Sequence, residues 1–174
     1  VGPTGGVLAV EADPTTCAVL HANLRGRPPG NVEILNVAAG AAAGEVVIDR
    51  APAGAGNPGG NRVVAGDGAG ERVPMAALDD VLDPEAPVAF IKLDIEGYEH
   101  HALAGLRRTI ARWRPTLLVE WSLDALRARG EDPRAVLAGY LAHGWAVSAL
   151  PDAATEADLR RHADLDRVFV DGDR

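Results

Sequence analysis

The sequence predicts a three-layer α/β fold around a mostly parallel sheet, in one domain spanning residues 1–174. Three observations predict it. Short apolar runs alternate with stretches of helical periodicity, the pattern of strands joined by crossover helices. Two of those runs, Val88 to Leu93 with Lys92 its one charge, and Thr116 to the acid Glu120, are nearly unbroken in apolar residues, as strands buried in a parallel sheet are. Three runs also end in acids (Glu11; Asp94 with Glu96; Glu120), at the edge where such sheets bind ligands.

The elements follow in order. Val1 to Gly6 is rich in Gly and Pro and reads as a loop. Val7 to Val10 is a compact apolar strand. Asp13 and Pro14 open a helix through about Leu24, Asp13 as its cap and Pro14 in its first turn. Gly26 to Gly30 breaks it, and Val32 to Val37 is the next strand. Glycines 40 and 44 mark turns before a strand over Glu45 to Asp49. Residues 51–70 are Gly, Ala, Pro and Asn with few apolar anchors and read as a long loop. Glu71 to Ala77 is extended, interrupted by Pro74, and Leu78 to Leu82 is a short helix. After the strand ending at Leu93, Tyr98 to Arg114 is one helix, with Leu103, Leu106, Ile110 and Trp113 at helical spacing. Pro115 stops it. Asp132-Pro133 starts another helix, ended by Gly144. Trp145 to Leu150 and Asp166 to Val170 are the last strands, around a helix near Glu156 to His162.

Composition bounds the function. The net charge of −8 argues against non-specific nucleic-acid binding, because a phosphate backbone needs a basic face. No run reaches the ~20 apolar residues of a membrane span. A single cysteine, Cys17, excludes an internal disulfide and a cysteine-rich metal site, and fits a reducing cytoplasm. Cys17 lies in the first helix and reads as a small buried apolar residue.

The strand-end acids carry the chemistry. Glu11 ends its strand either as an acid that accepts hydrogen bonds from ribose hydroxyls, a task suited to a carboxylate that takes two donors, or as a solvated loop acid. Asp94 and Glu96 stand either at a ligand site or as a cap and a first-turn acid of the following helix. Glu120 with Trp121 reads as a floor beside that site. His100 and His101 are adjacent, so they point in different directions on a helix and read as solvated residues, not as metal ligands. One of them is nevertheless within reach of a substrate hydroxyl as a base. No Gly-x-Ser-x-Gly, Walker or His-Glu-x-x-His motif is present, and no metal site is expected.

Several segments occur together in a set order. They are Val7-Leu8-Ala9-Val10-Glu11-Ala12-Asp13-Pro14, Asn31-Val32, Asn36-Val37-Ala38-Ala39-Gly40, Gly44-Glu45, and Val73-Pro74 with Leu78-Asp79. The run from Ile91 through Lys92-Leu93-Asp94-Ile95-Glu96-Gly97-Tyr98-Glu99 follows, then Arg114-Pro115 and Leu118-Val119-Glu120. In these the chain resembles the FkbM family of S-adenosylmethionine-dependent methyltransferases, over residues 5 to about 121. The resemblance implies a Rossmann-like class I methyltransferase fold and methyl transfer to a hydroxyl of a sugar or other natural product. It implies that Glu11 binds the cofactor ribose, and that Asp13 and Asn36, Val37 and Ala38 lie near the adenosine. Asp94 and Glu96 would face the methyl group and the acceptor. Asp94 is then the first candidate base, with Glu96 and His100 next. Asn57 and Asn61 either supply polar contacts to one of the ligands or belong to a flexible surface loop. The resemblance also puts a first strand and a Gly-rich turn before residue 1, so a fragment or truncated chain is expected. The alternative is a degenerate relative that acts as an interaction module. A different nucleotide-binding α/β enzyme does not predict the Lys-x-Asp-x-Glu-Gly run.

Overall fold

An aspartate and a proline turn the first strand into the first helix. β1 (Val7–Val10) leads to Asp13, whose Oδ1 accepts from Thr15 N–H at 2.8 Å and caps α1 (Pro14–Leu24). The chain returns in β2 (Val32–Leu35), parallel to β1, with Val7 opposite Val32 and Val10 opposite Leu35. This computed structural model describes residues 1–25, 30–50, 61–64, 70–142, 146–149 and 167–172, with the side chains at 121, 123, 141–142, 146–149 and 167–172 excepted. The expected helix near residues 156–162 and Asn57 lie outside the described residues.

A second parallel sheet holds the later strands in the order β7 (Phe90–Leu93), β8 (Thr116–Trp121), β10 (Arg167–Gly172), β9 (Ala146–Ala149). All three of its pairings are parallel. A third sheet has the order β3 (Ala38–Ala39), β6 (Glu71–Ala76), β4 (Gly44–Asp49), β5 (Arg62–Val64). There β4 runs antiparallel to both β5 and β6. A single mostly parallel sheet is therefore not what the described residues form. The reason is local: no helical pattern separates residues 44–76, and only a crossover of a dozen or more residues returns a strand parallel. β5 also falls inside the segment read as a long loop. Pro74 lies beyond the end of β3, where β6 is flanked on one side only, a position that tolerates a strand proline.

The sheet of β7 and β8 carries the main core. Leu93, Leu117 and Val119 pack with Ala102 and Leu103 of α2 (Glu99–Ala104) and Tyr140 of α5 (Pro133–Ala142). Each large apolar side chain buried here contributes about 1.5–3 kcal/mol. A smaller cluster joins Ala38, Ile48 and Val73 in the mixed sheet. β7 is not buried on both faces as its composition suggested: Phe90 is 51% exposed and Lys92 is exposed. Among the described residues β7 pairs only with β8, and β1 only with β2.

The helix expected over residues 98–114 is two helices, α2 and α3 (Arg107–Trp113). Gly105 breaks it. A Cβ there would overlap the backbone oxygen of Gly40, and Gly105 O accepts from Asp79 N–H at 2.8 Å. The 3-10 turn Leu78–Asp80 then caps α3 from a distance. Asp79 accepts from Arg108 N–H (2.7 Å), Thr109 N–H (2.9 Å) and the Thr109 hydroxyl (2.7 Å). α4 (Leu123–Ala128), capped by Ser122, gave no separate signal in the sequence.

Candidate active site

Parallel register brings two of the predicted acids together. Leu93 stands opposite Val119 on β7 and β8, so Asp94 leaves the sheet beside Glu120. Neighbouring strands lie about 4.8 Å apart, and side chains at matched positions share a face. Glu96 and Gly97 form a turn with φ of 56° and 92°. Left-handed backbone at a non-glycine costs about 1–2 kcal/mol. Gly97 is required twice over, because a Cβ there would meet Ala125 Cβ of α4 at 2.7 Å.

Neither Asp94 nor Glu96 is a helix cap. α2 begins later, at Glu99, after Tyr98. Glu99 is 4% exposed, and its Oε1 accepts from Ile95 N–H (2.9 Å) and Gly97 N–H (3.2 Å), holding the turn closed. Burial raises the Glu99 pKa, the two amides oppose that, and the charge of Asp94 adds to it. The sequence signal for this role was an acid shortly after the glycine, reaching back to free amides as a capping-box acid does.

Glu120 is the most perturbed acid of the site. Its Oε2 is buried without a hydrogen-bond donor. Burial first, then the charges of Asp94, Glu96 and Glu99, push its pKa up to about 7. Asp94 supplies the foremost of those charges. Asp94 itself is half-exposed and paired to Lys92 Nζ at 2.7 Å. Four carboxylates, of Asp94, Glu96, Glu99 and Glu120, thus converge at the carboxyl ends of β7 and β8. Trp121 follows on β8, its side chain outside the described set.

At the end of β1, Glu11 Oε1 accepts from Asp13 N–H at 2.7 Å, and Oε2 takes no donor from a described residue. Asp13 is buried in a network. Its Oδ1 also accepts from Arg50 at 2.8 Å, its Oδ2 from Asn61 at 2.6 Å, and Arg50 bridges to Glu71. Burial raises the Asp13 pKa, but the Thr15 amide and Arg50 outweigh it, and the carboxyl sits below its usual range. Asn61 is thereby tied to Asp13 and ties β5 to the α1 cap. Asn36 donates to Glu11 O (2.7 Å) and Ala12 O (3.2 Å), so it shapes the loop after β1. Val37 is partly exposed beside it, and Ala38 is buried in the core of the mixed sheet.

His100 turns to a different cluster. Its Nε2 lies 2.9 Å from Glu131 Oε2, and His101 Nε2 lies 3.2 Å from Glu131 Oε1. The two rings are 4.1 Å apart, and His101 stacks on Tyr98 at 4.4 Å. The expectation that adjacent histidines diverge fails because each imidazole is long enough to reach back to one of the two oxygens of a single carboxylate. Burial first, then the His101 charge, lower the His100 pKa, and Glu131 partly offsets them.

A profile of the Methyltransferase FkbM domain matches residues 1–144. No curated protein matches the chain. The crystal structure of methyltransferase FkbM from Methylobacillus flagellatus KT is similar, with a TM-score of 0.51 and 22% identity. The match covers 79% of this chain and 30% of that one, so this chain spans less than a third of that protein's length. At this identity the likeness speaks for the fold. The family profile covers most of the chain, and this protein belongs to the FkbM methyltransferase domain family.

Proposed function

We propose that this chain belongs to an S-adenosylmethionine-dependent O-methyltransferase of Rossmann-like fold, acting on a hydroxyl of a sugar or other small natural product. The observation that supports it most is Glu120, whose buried Oε2 lacks a donor and whose pKa is pushed up to about 7 beside Asp94, in a chain of methyltransferase lineage. A base with a pKa near the working pH is the best acceptor for a hydroxyl proton. Glu120 therefore replaces Asp94 as the first candidate base, with Asp94 and Glu96 setting its charge environment.

The residues fit the cofactor at one end. Glu11 keeps Oε2 for a ribose hydroxyl while Oε1 is fixed by the Asp13 amide. Its loop is held by Asn36, and the buried Asp13 network fixes the start of α1. When bound, S-adenosylmethionine supplies a methyl group already activated on a sulfonium, so the protein contributes alignment and proton removal. Glu99 holds the turn that sets Asp94 and Glu96, and Glu120 takes the proton at a carboxylate oxygen. The net charge of −8 suits a small neutral acceptor better than a polyanion.

Calorimetry of the chain with S-adenosylhomocysteine is the test. Micromolar binding that Glu11→Ala weakens tenfold or more is expected, from loss of a charge-assisted hydrogen bond. No heat at high micromolar ligand would overturn the reading for this chain and favour an interaction module.

A further inference from the structure

We propose that His100, His101 and Glu131 form a binding site for a divalent transition metal, Zn²⁺ above all, separate from the carboxylate cluster. The three residues come from two places: the first turn of α2 and the connection between α4 and α5. One donor atom from each lies within 4.8 Å of the other two. The Nε2 atoms of His100 and His101 lie 2.9 and 3.2 Å from the Glu131 oxygens. Two donors on a tetrahedral Zn²⁺ sit roughly 3.3 Å apart, given bonds of 2.0–2.2 Å. The set is therefore within a small side-chain adjustment of ligation.

A plain hydrogen-bond cluster accounts for it less well. Both ring nitrogens of His100 are buried and neither makes an aligned hydrogen bond, although Nε2 is so near Glu131. Buried nitrogens without partners cost free energy, and native proteins keep few of them. His101 Nε2 is hydrogen-bonded to Glu131 Oε1 at 3.2 Å, but His100, crowded against the same carboxylate, is left out, and an ion held by all three would satisfy it. Two imidazoles with one carboxylate select borderline metals over Mg²⁺ or Ca²⁺, which prefer oxygen. Three protein donors leave one position for water, and the ion would tie α2 to the α4–α5 connection.

One neighbour opposes the ion. Arg129 Nε lies 3.9 Å from Glu131 Oε1, with its guanidinium 4.6 Å over the Tyr98 ring and Nη1 bonded to Val63 O at 2.7 Å. That fixed positive charge weakens any cation beside it, so its removal makes a sharp test. In the metal-stripped full chain, Zn²⁺ titrated by calorimetry is expected to bind one ion per chain at micromolar or tighter affinity, uncontested by millimolar Mg²⁺. His101→Ala and Glu131→Gln should each weaken binding at least tenfold, His21→Ala on α1 should not, and Arg129→Gln should tighten it severalfold. Co²⁺ should give a visible ligand-field spectrum that Glu131→Gln abolishes. Circular dichroism without metal identifies any variant that fails to fold, and His101→Gln then replaces His101→Ala. Absence of saturable Zn²⁺ binding, or equal binding by folded His101 and Glu131 variants, would overturn the site.

Discussion

Glu120 is the residue whose protonation can be measured without knowing the acceptor. With a pKa of about 7, its carboxylate fraction rises from about a tenth at pH 6 to about nine-tenths at pH 8. An ordinary glutamate would be fully ionised across that range. The perturbation is Asp94→Asn. It removes the foremost of the three neighbouring charges that raise Glu120, leaving burial and the charges of Glu96 and Glu99. The Glu120 pKa should therefore fall but stay above its usual value. Carbon-13 NMR of glutamate-labelled chain, with Glu120 assigned by its absence in Glu120→Gln, reads this directly. Activity should follow: the acid limb of the rate profile lies near pH 7, moves down in Asp94→Asn, and vanishes in Glu120→Gln with a loss of about 10²–10⁴ in turnover. Stability gives an independent sign. A carboxyl raised in the folded state contributes fully below its unfolded pKa, and that contribution is lost as pH rises through about 7. Glu120→Gln should thus be more stable than the parent at pH 8, with the difference closing toward pH 4. An NMR midpoint between pH 4 and 5 in the parent chain would refute the reasoning.

Asp79→Ala removes three hydrogen bonds from the start of α3 and strands the buried Thr109 amide, so urea unfolding should show a loss of about 2–3 kcal/mol. Burial opposes ionisation of Asp79, but its backbone partners outweigh this and its pKa is lowered. Its contribution is present above the unfolded carboxylate pKa and is lost as pH falls through the folded value, so the gap between parent and variant should narrow below about pH 4. Glu96→Gly relieves the left-handed backbone at φ 56° and should stabilise the fold by about 0.5–1 kcal/mol in thermal unfolding. Its turnover should drop at the same time, and unchanged turnover would remove Glu96 from the site. Gly105→Ala forces a Cβ onto Gly40 O, and a loss of about 2 kcal/mol or more is expected in the melting curve.

Much of this arrangement was legible because it depends on neighbours in sequence. Asp13 and Pro14 announced α1, and apolar runs ending in Asp94 and Glu120 announced two strand ends. What could not be read depends on distant partners. From sequence alone Asp94 stands as either a site acid or a helix cap, and only the Glu96–Gly97 turn, which delays α2 to Glu99, removes the cap. Asn61 looked available for a ligand, but Asp13, remote in sequence, holds it. Glu120 carried no sign of its raised pKa, which comes from acids on another strand and turn. The break at Gly105 was hidden because helical periodicity continues across it, and only Gly40 reveals why the helix stops.

The contact between Gly97 and Ala125 has a practical consequence. Because α4 leaves no room for a Cβ at 97, a larger side chain at 125 presses on the turn that aims Asp94 and Glu96. Position 125 touches no predicted ligand, yet it can detune the site. Anyone varying this protein to accept a new substrate should treat 97 and 125 as one coupled choice, and should keep α4 fixed when grafting the acidic turn elsewhere.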